Sequence, residues 1–424
     1  MLDRLDALLT RERVRNYSLI FLVLGLAALV ANASLGHYPV SWSGQVVLPD
    51  YLAHWTGGRM LLEGRLGELY DPAAQAARQQ AAVPGSTGLS WFVSPPVAVA
   101  PYAVLALLPY GASAVLWTLL TAGLLGLAVA LGRGWVAPEH RRDYGVLVLV
   151  FLGSSAVLEL VGSGQDSAAA LVVLLLGLRL LGSGRAVAAG LVLALGVFKP
   201  QLFAFVPLVL LLQQRYRALA AFVGGSVALV LLSLPLVGLG AWRSWLGALA
   251  SPLYQGQVQV GQTWKMQSVS ALVTALGAPG WTAYAVFVLG ALVLVVLLRG
   301  TPAPPAEVWA LAVLSTVVFS PHVMQYDLVM LLPVLVVALP YAGRRALRLL
   351  ALLTGVTLYT VAFRNLGQGG GWAVLGAPWS ALALFAVWLL AVRERVGVSR
   401  PRWTGRLSPA GRGPRRRPAA DRTG

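Results

Sequence analysis

The sequence predicts an all-α polytopic membrane protein: a bundle of about twelve transmembrane helices, with interfacial helices in a long first extracytoplasmic loop. Three observations predict it. Of the 424 residues, 58% are hydrophobic and 11% charged, where a soluble domain carries about a quarter charged residues. Apolar runs such as 17–36, 146–162, 218–238, 283–298 and 346–362 approach the roughly 20 residues that cross hydrocarbon as a helix. Most of the cations outside the tail sit in short loops between these runs, which is how a membrane protein sets its orientation.

Taken in order, a basic start (residues 1–16) precedes the first run, 17–36. Ala31-Asn32-Ala33 has the small residues of a signal-cleavage site, but the run is long and many spans follow, so it reads as a retained span. Residues 37–91 form the first long loop. Within it, Asp50 opens a stretch with Leu52, Trp55, Met60, Leu61 and Leu62, and Pro72–Ala82 follows Tyr70-Asp71. Both stretches read as helices lying at the membrane interface. Trp42, Trp55, Trp91, Trp242, Trp245 and Trp264 suit the same boundary, where an amphipathic ring is well placed.

Region 93–131 is too long for one span. Pro95-Pro96, Pro101 and Pro109 interrupt it, because proline removes a helical donor and clashes with the preceding turn. It reads as two spans, or as one span plus a re-entrant piece. Further spans are expected at 144–162, 166–182, 186–198, 201–213, 218–238, 281–298, 306–320, 325–341, 345–363 and 372–393, with a second long loop over 239–279. Several are short and need tilt, bilayer thinning or shielding by neighbours. The membrane domain then covers 17–396, and 397–424 is a basic, Pro- and Gly-rich tail expected to be disordered and near anionic lipid. No repeat of fixed period is evident.

With the N-terminus in the cytoplasm and one net crossing in 93–131, 17 cations outside the tail fall inside and 7 outside: Arg59, Arg65, Arg78, Lys199, Arg243, Lys265 and Arg364. The tail adds eight arginines to the inside. Both termini are then cytoplasmic, and both long loops face outward from a plasma (inner) membrane. This distribution accounts for the net charge of +17 without nucleic acid as a partner. The absence of cysteine excludes disulfides, thiolate catalysis and Cys-ligated zinc. The four histidines have no metal-ligand spacing, so no metal site is expected.

Chemically capable residues gather at breaks between spans on the outer side. Both lysines of the chain, Lys199 and Lys265, lie there. Lys199 sits between two apolar runs, where a cation is expensive and is usually functional or paired; the plainer alternative is snorkelling to the interface. Gly162-Ser163-Gly164-Gln165-Asp166 is a polar break of the kind tolerated only inside protein or beside a wet cavity. There the plainer alternative is a tight turn with Asp166 capping the next helix, and Glu159 adds a second costly carboxylate nearby. In Ser320–Asp327, His322 could donate a proton or a hydrogen bond and Asp327 could orient it or serve only as an N-cap. Asp50 after Pro49 also makes a good N-cap.

These stretches together resemble glycosyltransferase family 87. The motifs are Asp50-Tyr51-Leu52-Ala53-His54-Trp55 through Gly58-Arg59, Leu69-Tyr70-Asp71-Pro72, Ser94-Pro95-Pro96 through Leu107-Leu108-Pro109-Tyr110, and Gly164-Gln165-Asp166. Lys199-Pro200-Gln201, Lys265-Met266-Gln267-Ser268-Val269, and Pro321-His322 with Tyr326-Asp327-Leu328 continue them. The likeness runs over about residues 45–340. Ser94 stands where the family often has a tyrosine before the proline pair.

The resemblance implies a GT-C-like fold and a polyprenyl-phosphate-linked sugar donor, often mannose. It also implies a glycolipid or glycan acceptor, no cofactor, and a metal-independent inverting transfer whose carboxylate lies in the first outer loop. That carboxylate is Asp50, acting as general base, while His322, also counted as catalytic, would hydrogen-bond the phosphate or sugar. Arg59, Lys199 and Lys265 would meet the phosphate charge, and Gln165, Asp166, Gln201, Tyr326 and Asp327 would line the substrate site. Two other functions fit the same polar outer face: a flippase for lipid-linked sugars, and a polymerase or ligase using polyprenyl-diphosphate glycans.

Overall fold

A computed structural model describes residues 10–87, 90–136, 140–299, 305–338 and 378–398. The described residues are helical, joined by loops and four isolated β-bridges. The span expected at 345–363 and the tail from 399 onward lie outside them.

Four helices are long and apolar enough to cross a membrane: α1 (Arg11–Ser34), α5 (Tyr110–Arg133), α12 (Tyr216–Ala250) and α14 (Trp281–Leu298). All four leave most of their residues unburied, and Leu24, Val30, Leu119, Leu232 and Val296 are among the apolar side chains that they expose. Such a surface suits lipid, since a water-facing patch of that size is rare on soluble proteins.

In chain order, α2 (Pro49–Leu62) and α3 (Pro72–Ala82) occupy the first long loop. A 3-10 turn at Pro96–Ala98 leads into α4 (Val99–Leu105), and α5 follows Pro109. Proline thus divides region 93–131 into one short helix and one long one. α6 (Arg141–Leu152) and α7 (Ser155–Ser163) meet at a 49° bend and could form a fifth span if taken as one.

Next come α8 (Ser167–Gly182), α9 (Ala186–Ala194), α10 (Pro200–Phe203) and α11 (Val206–Leu212). They share the main apolar core with α15 (Pro305–Phe319), α16 (Leu332–Ala338) and α17 (Ser380–Val398). Apart from α17, whose apolar part is Ser380–Arg393, these core helices have 16 residues or fewer and are short for a bilayer, so the expected count of about twelve crossings rests on length and hydropathy alone.

Two expectations change on folding. α2 is not a surface helix: Tyr51 to Gly58 are all buried, enclosed by α4 and α5. Trp55 is buried with it and donates to the Leu108 carbonyl at 3.2 Å, whereas Trp42 is exposed. The second loop, expected to begin at Leu239, starts as helix. α12 continues to Ala250 through a break at Gly238, whose φ of 74° and ψ of 159° are not helical. A π-helical stretch Tyr254–Val260, a 3-10 turn Thr263–Lys265 and α13 (Val269–Ala275) complete that segment.

Candidate functional site

The site forms where the start of α2, the α7–α8 break, the break before α10 and the segment after α15 converge. Leu48, just before Pro49, has φ 59° and ψ 61°, a left-handed conformation uncommon for a side chain of this size. The Tyr110 hydroxyl holds it, reaching the Val47 and Leu48 carbonyls at 2.5 and 3.0 Å. Leu48 is therefore the N-cap, and Asp50 falls inside the first turn. The capping alternative for Asp50 fails, but the helix N-terminus still favours its negative charge.

The Asp50 carboxylate is held at both oxygens. Ser90 Oγ donates to Oδ1 at 2.6 Å and Gln165 Nε2 donates to Oδ2 at 2.8 Å. No ion pair reaches it from the described residues, and it is partly exposed. Each oxygen keeps a further acceptor site, because an ionised carboxylate offers about four in all.

Gly164 delivers Gln165 to this point. It closes α7 with φ +77°, and a Cβ there would sit 2.6 Å from Tyr51 Cβ and 2.9 Å from Leu48 Cβ. Only glycine lets the break lie against the start of α2. Trp117 Nε1 then donates to the Gly164 carbonyl at 2.8 Å.

Behind Asp50 lies a buried ionic cluster. Lys199 is 6% exposed, and its Nζ lies 2.9 Å from Asp166 Oδ1 and 3.1 Å from Asp327 Oδ1. It also donates to Ser167 Oγ at 2.7 Å and Gln165 Oε1 at 3.2 Å, and it lies 4.8 Å from the centre of the Tyr326 ring. It does not snorkel. A cation so enclosed needs these partners, because the desolvation of an unpaired buried charge costs several kcal/mol.

Asp166 makes no cap bond to α8; Tyr102 donates to its Oδ2 at 2.8 Å. Gly58 permits this, since a Cβ on it would lie 2.4 Å from the Tyr102 carbonyl oxygen. Asp327 plays both of its expected parts. Its Oδ2 accepts from the Met324 N–H at 3.0 Å, while Oδ1 takes Ser167 Oγ at 2.6 Å and Lys199.

Lys265 is placed differently. Its segment runs beside residues 323–324, through the Gln267 N–H donating to Val323 O at 3.0 Å and the Met266–Met324 bridge. Its ammonium lies 5.0 Å from the Trp264 ring centre and makes no hydrogen bond or ion pair with the described residues.

His322 Nδ1 lies 2.9 Å from Gln259 Oε1, while Gln259 Nε2 donates to the Pro321 carbonyl at 2.9 Å. That network puts the proton on Nδ1. Burial pushes the ring down to about 4, with Asp327 opposing and Lys199 reinforcing the shift. At neutral pH the ring is therefore uncharged and Nε2 is an acceptor. Its one donor, Nδ1, is already directed at Gln259 Oε1.

Two expected residues stand apart. Arg59 is exposed and pairs with Glu63 at 3.2 Å, with a longer contact to the Ala106 carbonyl at 3.4 Å. Nine residues beyond Asp50, it lies about 13 Å further along the helix axis. The half-buried Gln201 side chain makes no hydrogen bond with the described residues. Phe92, two residues before Ser94, packs almost fully buried against His54 and Tyr70.

Four partners were not predicted. His54 Nδ1 donates to the Asp50 carbonyl at 2.8 Å, and its Nε2 faces Ser94 Oγ at 3.4 Å and Asp166 Oδ2 at 3.8 Å. Its spacing of one helical turn from Asp50 was a usable signal. Ser167, next to the Gly-Gln-Asp break, was another. Ser90 and Tyr102 arrive from distant chain positions with no local signature.

Glycosyltransferase family 87 matches residues 92–321, more than half of the chain. The match contains Gln165, Asp166, Lys199, Gln201 and Lys265; Asp50 lies before it and joins them through Gln165 and Ser90. No curated protein and no solved structure matches significantly. The extent of the family match, together with the apolar helices, makes this chain a membrane glycosyltransferase belonging to family 87.

Proposed function

We propose that the protein transfers a sugar, with mannose the first choice, from a polyprenyl-phosphate donor to a glycan or glycolipid acceptor outside the cytoplasm. The reading is a single inverting displacement in a GT-C-type fold, without metal or cofactor. Asp50 is the general base. The observation that carries this role is its geometry: a partly exposed carboxylate fixed at both oxygens, unneutralised by any described cation, with acceptor sites to spare.

In the reaction, the acceptor hydroxyl gives its proton to Asp50 while its oxygen attacks the anomeric carbon. The bond from that carbon to the phosphate oxygen breaks, and polyprenyl phosphate leaves with the electron pair. Phosphate is a good leaving group, so no general acid is needed. Charge growing on it in the transition state requires a preorganised cation.

Lys265 fits that role better than Lys199. Lys199 already faces two carboxylates, so its charge is more than balanced. In this reading Lys199, Asp166 and Asp327 form the frame that holds Gln165 against Asp50. Neutral His322 and Tyr326 line the sugar side, where His322 Nε2 accepts a hydroxyl hydrogen bond. Arg59 has no part in the reacting centre.

The test is to incubate purified protein with labelled polyprenyl-phosphate sugars and membrane glycolipids and to measure release of polyprenyl phosphate. Asp50→Asn should lower the release rate by about 10²–10⁴-fold, the usual contribution of a general base, with the unfolding temperature kept. An undiminished rate removes Asp50 from the base role. Movement of lipid-linked sugar across vesicles without release identifies a flippase instead.

A further inference from the structure

A cleft of about 550 Å³ lies between the first and second long inter-helix segments, inside the range of roughly 300–1,000 Å³ usual for small-molecule sites. Tyr70, Trp91, Phe92, Trp245 and Tyr254 line it, with exposed Asp71 alongside. One wall is the strip Ser90–Ser94, and both segments are pinned to that strip. Tyr70 donates its hydroxyl to the Ser94 carbonyl at 2.7 Å, and Trp245 Nε1 donates to the Val93 carbonyl at 3.0 Å.

The strip is clamped from behind by two buried glutamines of α3. Gln75 Oε1 accepts from the Phe92 N–H at 2.7 Å. Gln79 Nε2 donates to the Ser90 carbonyl at 2.6 Å while its Oε1 accepts from the Ser90 N–H at 3.3 Å. The end of this fixed strip is Ser90, whose hydroxyl holds Asp50 Oδ1.

We infer that this cleft is a subsite for sugar rings of the acceptor glycan. The claim rests on the glycosyl-transfer reading above. Flat aromatic faces match the C–H faces of sugar rings, and an aromatic face with its negative quadrupole meets such C–H groups in a defined geometry. Unused polar atoms supply hydroxyl partners. Asp71 Oδ1 caps α3 through the Ala73 and Ala74 N–H groups, while its Oδ2 accepts nothing from the described residues. The Tyr254 hydroxyl likewise makes no hydrogen bond with them. An isoprenoid chain would leave both groups without a partner.

The two oxygens of Asp50 also divide the space. Oδ2 points to Gln165 and the Lys199 frame, which leads through Asp327 to the segment beside Lys265, where the donor phosphate is placed. Oδ1 points to Ser90 and the cleft wall. Ser90 directly precedes Trp91 of the cleft wall, so the Asp50 carboxylate is tied to that wall through a single residue.

The experiment uses the full chain in detergent micelles and saturation-transfer NMR, with mannotetraose and maltotetraose as probes and geranylgeranyl phosphate as the apolar rival. Ring protons of at least one tetrasaccharide should receive saturation from the wild type. The signal should fall about fivefold to tenfold in Trp91→Ala and in Tyr254→Ala, the loss of one aromatic contact, and be kept in Trp91→Phe. No signal from either tetrasaccharide, a signal unchanged in both alanine variants, or displacement of the tetrasaccharide by geranylgeranyl phosphate overturns the inference. Tetrasaccharide binding without polyprenyl-phosphate release from any donor supports the cleft while removing the transfer reading. Release without tetrasaccharide binding does the reverse.

Discussion

The chain has two lysines, and they live in opposite surroundings. Lys199 is enclosed, with two carboxylates, a hydroxyl and an amide around its ammonium. Lys265 lies on a second inter-helix segment beside an indole face, with no carboxylate paired to it among the described residues. The difference teaches that equal rarity in a sequence does not mean equal use. A cation whose charge is over-balanced builds the site, whereas a cation left unbalanced is available to a ligand. In the sequence both stood out as lysines on the outer side, Lys199 between two apolar runs and Lys265 in the second long loop.

The largest effect expected from this comparison is on stability. Lys199→Met leaves Asp166 and Asp327 buried without their cation and should destabilise the fold by about 3–5 kcal/mol, the usual cost of removing one member of a buried pair. Thermal unfolding in detergent reads it, and a variant as stable as the wild type would break the comparison. Lys265→Met should behave in the opposite way. Its unfolding temperature stays near the wild-type value, while release of polyprenyl phosphate slows by about 10²-fold, the effect of removing one transition-state electrostatic partner. Slowed release with a matching loss of stability would make Lys265 structural as well.

The smallest effect sharpens what lies between the two lysines. His322 binds its proton less readily in the fold, near 4, than in the unfolded chain, near 6.5. Its contribution to stability is present above pH 6.5 and is lost as pH falls toward 4. His322→Gln should therefore flatten the decline of unfolding temperature over that window. An unchanged slope would show that the ring is not held neutral by its surroundings.

The helices were legible because apolar run length is a direct reading of what hydrocarbon requires. The run 281–298 returns as α14 over the same residues, and the prolines of 93–131 divide that region where their missing donors demand it. Helix α2 was found but misplaced. Its apolar residues are compatible with either an interface or an enclosed position, and the neighbours that enclose it, α4 and α5, come from 35 or more residues further along.

The site followed the same division. Asp50, Gln165, Asp166, Lys199 and Asp327 stood out as polar residues in apolar company and do meet. Arg59 stood out equally and points elsewhere, since an exposed arginine on a helix has Glu63 within one turn. Ser90 and Tyr102 were invisible because a serine in a loop and a tyrosine after a proline carry no charge to mark them.

By itself, the sequence determined that this is an apolar helical chain with polar breaks, a family 87 resemblance and two conspicuous lysines. Composition, run length and residue type are local quantities, and these conclusions need nothing more. Only the tertiary structure decided which lysine is neutralised, that Asp50 is inside its helix rather than capping it, and that His322 offers an acceptor. Charge balance, cap geometry and tautomer depend on which atoms lie within about 3 Å, and those atoms come from Ser90, Gln165, Gln259 and Asp327, far apart in the chain.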